Sequence, residues 1–249
     1  MAYFSYNIPM KTKYSAPALS KGLMILEFMA SQKKPLTLQS LSHKIGMSIS
    51  QIYRIVQVLQ TSGYLIKDLD SDSYILSPKL FLLGMNFRDN CTLLDLVMPL
   101  LEQISAKTYQ SCHFVIQTDK NISVIARSHP DVSIGFSVKI GHTCAMQKAS
   151  SGMLILAFLP KEEQQRVLSK SRWRDYHKTF QQIKKRQLYL ARSYYTRDII
   201  DISIPLFSSY RQKIIGAITL SYMDILGNPL SFREIVRFLK TKSPCYIAY

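Results

Sequence analysis

Six side chains between positions 48 and 57 have the chemistry to read a duplex edge: Ser48, Ser50, Gln51, Tyr53, Arg54 and Gln57. Hydroxyls, carboxamides and a guanidinium can meet base edges in a major groove, where each base pair shows its own donor and acceptor pattern. Taken alone, the same set is what any solvated helix face carries. Lys67 stands a little downstream, suited to a backbone phosphate. Residues suited to catalysis are sparser. The chain has no Gly-x-Ser-x-Gly elbow, no phosphate-cradling glycine loop and no zincin histidine pair. Cys112 and His113 are adjacent, so on a strand they face opposite ways. His142 and Cys144 are two apart and can share a strand face, but a cysteine nucleophile needs a third, orienting group. His43, His129 and His177 are isolated and read as packing or surface residues. The pattern points away from an enzyme.

Residues 36–76 contain the elements that would position the polar set. Thr37 can cap a helix with apolar positions Leu38, Leu41 and Ile45, and Gly46 follows as a helix stop. Ser48 then opens a second helix, with Gln51 three residues on in a capping-box pattern. Its apolar face is Ile49, Ile52, Val56 and Leu59, leaving Ser50, Gln51, Arg54 and Gln57 on the other side. Gly63 ends it. Tyr64-Leu65-Ile66 and Tyr74-Ile75-Leu76 read as strands around a polar, turn-rich loop. The order predicts a winged helix-turn-helix, whose second helix enters a groove. Against this stand three wing aspartates, Asp68, Asp70 and Asp72, which are poor partners for phosphates.

A chain of 249 residues with 47% hydrophobic content can bury a normal core in two domains. Its formal charge of +16 suits a polyanionic partner. The first 77 residues carry eight Lys/Arg and four Asp/Glu, so only +4 lies there and +12 lies downstream. The densest basic stretch, residues 161–197, has eleven Lys/Arg against three acids; a solvated helix face is favoured there over a second nucleic-acid site. Cys91, Cys112, Cys144 and Cys245 are dispersed and read as reduced thiols. The longest apolar run, residues 153–159, is far short of the roughly 18 needed to span a bilayer. No secretory core opens the chain, so a cytoplasmic protein without membrane contact is expected.

The reading divides the chain into a flexible arm over 1–16, a winged helix-turn-helix over 17–77, a linker helix over 78–89 and a second domain over 90–249. In the first helix Leu19, Leu23, Leu26 and Met29 share one face; in the linker Leu80, Leu83 and Phe87 do. The second domain begins with a helix bearing Leu93, Leu94, Val97, Leu100, Leu101 and Ile104. Strands are expected over 112–117, 122–127, 132–140, 199–207 and 213–222, with one helix over 149–159, two basic helices within 161–190 and a last one capped by Ser231. This is an α+β class: antiparallel sheet with flanking helices.

Several segments carry a wider likeness: Ala18-Leu19-Ser20-Lys21-Gly22-Leu23, Leu36-Thr37-Leu38-Gln39-Ser40-Leu41, Tyr53-Arg54 and Gly63-Tyr64 in the head, then Tyr74-Ile75-Leu76-Ser77-Pro78-Lys79-Leu80. Gly141-His142-Thr143-Cys144-Ala145-Met146-Gln147-Lys148-Ala149-Ser150-Ser151-Gly152, Ile204-Pro205-Leu206 and Ile215-Gly216-Ala217-Ile218-Thr219-Leu220-Ser221 follow. In this order they resemble the IclR family of bacterial transcription regulators over about residues 17–223. The resemblance implies a winged helix-turn-helix joined by a linker helix to a GAF-like effector domain. It implies a repressor that binds a pseudo-palindromic duplex operator as a homodimer or tetramer and senses a small metabolite, with no cofactor or metal. Its effector pocket would include Ser150 and Ser151 at a helix start, and Thr219 and Ser221 on one strand face. The family's acidic position falls at Ala191 or Arg192, and its cysteine at Asp201, where a carboxylate opposes an anionic ligand unless Arg192 or Arg127 neutralises it. The competing reading is a small-molecule-binding or hydrolytic GAF-like protein whose winged head binds protein.

Overall fold

Pro17 opens the first helix, where its missing N–H leaves no bond unmade and its fixed φ suits the first turn. The computed structural model describes residues 16–249 except 33, 69–70, 86–87, 133–134, 211–212 and 226. The arm expected over 1–16 lies outside them save for Ala16, as do Leu69, Asp70 and Phe87. The chain forms two compact units, Met1–Phe87 and Arg88–Tyr249.

The first unit runs α1 (Pro17–Ala30), β1 (Leu36–Thr37), α2 (Leu38–Ile45), α3 (Ile49–Thr61), β2 (Leu65–Asp68), β3 (Ser73–Leu76) and α4 (Lys79–Met85). Thr37 Oγ1 accepts the Ser40 N–H at 3.2 Å and caps α2. Gly46 ends that helix at φ 74°, a left-handed conformation that a side chain disfavours. Ser48 Oγ accepts the Gln51 N–H at 3.4 Å; among the described residues only this half of the capping box forms. Ile25, Leu41, Ile52, Val56, Leu65 and Tyr74 make the core. Two apolar faces differ from the sequence expectation. Ile49 is 50% exposed, and α1 buries Gly22, Ile25 and Met29 while Leu19 and Leu23 face solvent. The small Gly22 is what turns toward α3, its Cβ direction 3.7 Å from Ile55 Cγ2. The sheet order is β1-β3-β2, with Leu36 opposite Tyr74. Strand β1, too short to show a period, was not anticipated.

The second unit runs α5 (Arg88–Thr108), β4 (Cys112–Thr118), β5 (Asn121–Ser128), β6 (Thr143–Ala145), α6 (Ser150–Phe158), α7 (Lys161–Val167), α8 (Lys170–Arg186), β7 (Tyr189–Arg192), β8 (Ile199–Ser208), β9 (Ile214–Met223), α9 (Phe232–Lys242) and β10 (Cys245–Ile247). The sheet order is β10-β8-β9-β4-β5-β6, and β7 also pairs with β8. Pairing is antiparallel apart from β10 on β8. One face carries Cys112, Phe114, Ile202, Ile204, Ile218 and Leu220, clustered with Val97, Leu101 and Ile104 of α5 and Ile235 and Leu239 of α9. Val115, Ala217 and most of α6 belong to a second cluster on the opposite face. The strand expected over 132–140 does not form among its described residues; the edge strand is β6 instead. Pro130 precedes that stretch and Gly135 lies within it, and both residue types weaken strand pairing. Pairing resumes only where Gly141 N–H donates to Val124 O and Val124 N–H to His142 O. Ser231 and Glu234 complete both halves of the box that opens α9.

Candidate functional site

The α2–Gly46–α3 turn fixes which side of α3 meets solvent. Burial of Ile52 and Val56 turns Ser50, Gln51, Tyr53 and Arg54 outward, and Gln57 is half-buried beside them. Arg54 makes no ion pair among the described residues. The Ser48 hydroxyl is engaged as the helix cap and lies 3.3 Å from Ser50 Oγ. Five exposed or half-exposed polar positions therefore share one helix face, with Ser48 at its start. Lys67 is placed differently. Its ammonium is paired with Asp72 at 2.5 Å and lies 5.8 Å from the Tyr74 ring. That hydrogen bond, donated by Lys67 to the Asp72 carboxylate, holds the lysine above its ordinary pKa and cancels much of the field it offers a phosphate.

In the second unit, register brings Ala191, Asp201, Thr219 and Ser221 onto one sheet face. Residues directly opposite in neighbouring strands share a face. His113 stands opposite Thr219, Thr219 opposite Ser203, and Ser203 opposite Tyr189. In the next row Ser221 is opposite Asp201, and Asp201 opposite Ala191. Helix α6 lies over the first row: Ser150 Oγ is 2.9 Å from Ser203 Oγ, which is 2.8 Å from Thr219 Oγ1. Ser221 Oγ donates to Asp201 Oδ1 at 2.9 Å. Ser150, Ser151, Ser203, Thr219 and Ser221 are all buried. The alternatives for the acidic position separate cleanly. Ala191 sits beside Asp201, whereas Arg192 is opposite Ile200, on the other face and exposed. Arg192 is thus not placed to neutralise Asp201, and Arg127 stands on β5, opposite His113.

The electrostatics of this polar floor follow from burial. Asp201 is pushed up from 3.8 to about 6 by desolvation, against hydrogen bonds from Ser221 and Ser193. Burial, with a smaller effect of His142, lowers His113 to about 4, so its imidazole is neutral at pH 7. His142 Nε2 hydrogen-bonds the Tyr195 hydroxyl, their rings edge-on at 5.1 Å. Burial raises the Cys144 thiol, and burial with the Cys144 contact raises Tyr195. A raised thiol is a weak nucleophile, the opposite of what Cys-His catalysis needs. Cys112 and His113 do face opposite sides: Cys112 packs on the α5 side and donates to Leu101 O at 3.2 Å.

Sequence reasoning missed Ser203, His113 and Tyr195 as members of this group. Alternation from Asp201 pointed to Ser203 two residues on. His113 needed the β4–β9 register, and Tyr195 lies in an irregular loop with no period to read. No group of three metal-ligating side chains is present among the described residues, and no described helix is long and apolar enough to cross a membrane.

Residues 18–69 match the family model described as IclR helix-turn-helix domain, and residues 86–225 match that described as Bacterial transcriptional regulator IclR C-terminal. The chain is 25% identical over 155 residues to the HTH-type transcriptional regulator KdgR of Dickeya chrysanthemi, covering 62% of this chain and 50% of that one. It is 22% identical over 153 residues to the Transcriptional repressor IclR of Escherichia coli, covering 61% and 56%. The aligned stretch spans about half the length of these curated relatives. An IclR homolog from Microbacterium hydrocarbonoxydans, solved in complex with 4-hydroxybenzoate, shares the fold at a TM-score of 0.75 and 15% identity, covering 90% of this chain and 95% of that one. The two family matches fall in order on the head and on the sheet domain, and this chain belongs to the IclR family of bacterial transcription regulators.

Proposed function

We propose that this protein is a sequence-specific DNA-binding regulator, acting in the cytoplasm as a repressor, whose second unit senses a small organic molecule. The observation that carries the reading is the outward face of α3, where Arg54, Gln51 and Ser50 stand free of the core beside a two-stranded wing. Arginine and glutamine at such positions can bond guanine and adenine edges in two places at once, which discriminates bases. Ser48 acts through the helix start, Tyr53 and Gln57 flank the reading set, and Lys67 contributes less, being paired with Asp72. The relatives that match are regulators and repressors, which supports the same role here.

The effector site in this reading is the floor formed by Asp201, Thr219 and Ser221 with Ala191 beside it, closed by the Ser150–Ser151 start of α6. The homologue that holds 4-hydroxybenzoate supports a small organic effector of this kind. A ligand changes operator affinity only through its differential affinity for two arrangements of the protein. One reading head offers little contact area, so a homodimer or larger assembly on a pseudo-palindromic operator is expected.

Selection from a pool of random duplexes with the full chain tests this. Enrichment of two inverted half-sites is the expected result. A pool that stays random after repeated rounds, while the protein binds another protein through its head, removes the DNA reading in favour of a protein-binding one.

A further inference from the structure

Helix α8 packs on α6, and α6 is itself buried from Ser150 to Ala157. Phe180 and Ile183 of α8 enter that cluster, with Trp173 and Tyr176 partly buried beside them. Trp173 Nε1 donates to Gln164 Oε1 at 2.7 Å and pins the early part of the helix to α7. This seating turns the opposite side of α8 to solvent. Arg174, Lys178, Gln181 and Lys185 are exposed there and recur at intervals of four, three and four, so they form one row along the helix. At the rise of an α-helix the row is roughly 16 Å long. Lys184 and Arg186, also exposed, flank its end. None of these cations makes an ion pair among the described residues. Within residues 170–186 the one acid is Asp175.

By composition alone this stretch reads as a solvated face, and the row with its single sign is what the structure adds. The stability of the helix accounts for only part of it. Lys184, Lys185 and Arg186 in the last turn suit the helix dipole. Helices α7 and α9 obey the same rule at both ends, with Glu162, Glu163 and Glu234 in their first turns. Helix α8 has no acid in its first turn, and Arg174 and Lys178, one turn apart, repel each other. A face that is merely solvated ordinarily mixes signs.

The composition of the face selects the partner. Among the described residues no large apolar side chain between Ile140 and Leu190 is exposed. Protein interfaces are anchored by apolar and aromatic side chains at their centre, and this face has none. A helix lying on a membrane turns its apolar stripe to the lipid, whereas that of α8 is buried in the core with α6. Cations and carboxamides without apolar anchors are what phosphates require. We infer that the outer row of α8 is a sequence-independent contact for the backbone of duplex DNA, carried by the second unit and separate from α3. Arg174, Lys178 and Lys185 meet phosphates, and Gln181 offers its amide beside them. Over the length of the row a duplex shows roughly ten phosphates on its two strands. The head supplies discrimination between sequences, and α8 supplies affinity that falls with salt.

Anisotropy of a random-sequence duplex titrated with the full chain, from about 50 to about 200 mM salt, tests the inference and needs no known operator. The combined variant Arg174→Gln, Lys178→Gln and Lys185→Gln should bind at least tenfold more weakly at the lowest salt. Its plot of log affinity against log salt should be shallower by about two or more, because each phosphate contact contributes about 0.9 to that slope. Lys178→Gln alone should lower the slope by about one. Arg174→Lys with Lys178→Arg and Lys185→Arg keeps the charge and should keep the slope. On a selected duplex the combined variant should lose the same factor as on the random one, whereas Arg54→Ala should weaken the selected duplex alone. An unchanged slope in Lys178→Gln and in the combined variant overturns the inference, as does a loss confined to the selected duplex. Phosphatidylserine vesicles and polyglutamate serve as rival polyanions: a loss of either with duplex binding intact overturns it in favour of a lipid or protein partner. If Arg54→Ala changes nothing while the combined variant weakens both duplexes, the reading of α3 fails and the α8 contact stands.

Discussion

Asp201 and His113 put opposite pH slopes into one sheet face. The carboxyl rises from 3.8 to about 6 on folding, so between those values the folded chain binds the proton that the unfolded chain has released. Its contribution is fully present below about pH 4 and is lost as pH rises through about 6. The imidazole falls from 6.5 to about 4, so its contribution is present above 6.5 and is lost as pH falls toward 4. Asp201→Asn should therefore stabilise the ligand-free protein at pH 7.5 by about 2–3 kcal/mol, with the gain shrinking toward pH 4. Urea unfolding at both pH values measures it; a gain independent of pH would mean that the carboxyl is not desolvated. Arg54 belongs to this scale as well. Truncation to Ala should cost at least about 1 kcal/mol of operator affinity while leaving unfolding unchanged, since the side chain is exposed and makes no ion pair among the described residues. Much of this was legible in the residues themselves. The period of α3 identified its outward face, and strand alternation joined Thr219 to Ser221. The choice between Ala191 and Arg192 was not legible, because a one-residue slip in β7 reverses every side chain.

Helix α6 depends on one position that tolerates no side chain. A Cβ on Gly152 would lie 2.1 Å from Met146 O and 2.6 Å from its Cα, both backbone atoms that cannot swing aside. Gly152→Ala should cost about 2–3 kcal/mol or more by forced backbone movement. Denaturant unfolding measures that cost, and near-wild-type stability would show that the turn before α6 is looser than its packing suggests. The variant should also disturb the Ser150–Ser203 contact, since both depend on the seating of the helix start. At this scale the long elements were readable: α5, α6, β4, β5, β8 and β9 each carry a clear period or apolar run. The short ones were not. β1 and β10 are two and three residues long, and β7 alternates for only four. Such strands exist because a neighbouring edge accepts them, which is information held by the partner strand. The face of α1 was misread for a related reason: packing chose Gly22 over the larger Leu19 and Leu23.

For the molecule as a whole, the notable surface is α4. Phe81 is 67% exposed, Leu82 56% and Leu83 48%, which places three adjacent large apolar side chains in water. Large apolar side chains exposed together on one short helix point to an association site. In the proposed reading, a homodimer through this helix would cover these side chains and supply two reading heads. Phe81→Glu should raise the dimer dissociation constant at least tenfold in sedimentation equilibrium; a wild-type chain that stays monomeric, alone and on DNA, would remove the dimer from the account. The charge distribution is consistent with a reader that recognises bases more than it attracts phosphates. Of the +16 total only +4 lies in the first 77 residues, and the Lys67 ammonium is engaged with Asp72. A modest salt dependence is expected of the head, because few phosphate contacts release few counterions.

The most direct test of the central claim is fluorescence anisotropy of a selected duplex titrated with the full chain, beside a scrambled duplex of the same composition and with Arg54→Ala run in parallel. The account predicts that the wild-type chain binds the selected duplex at least about a hundredfold more tightly than the scrambled one, within the usual gap between specific and non-specific binding. It predicts that Arg54→Ala narrows that gap while leaving the scrambled duplex little changed. Equal affinity for the two duplexes, or a gap that Arg54→Ala does not touch, would contradict α3 as the reading helix.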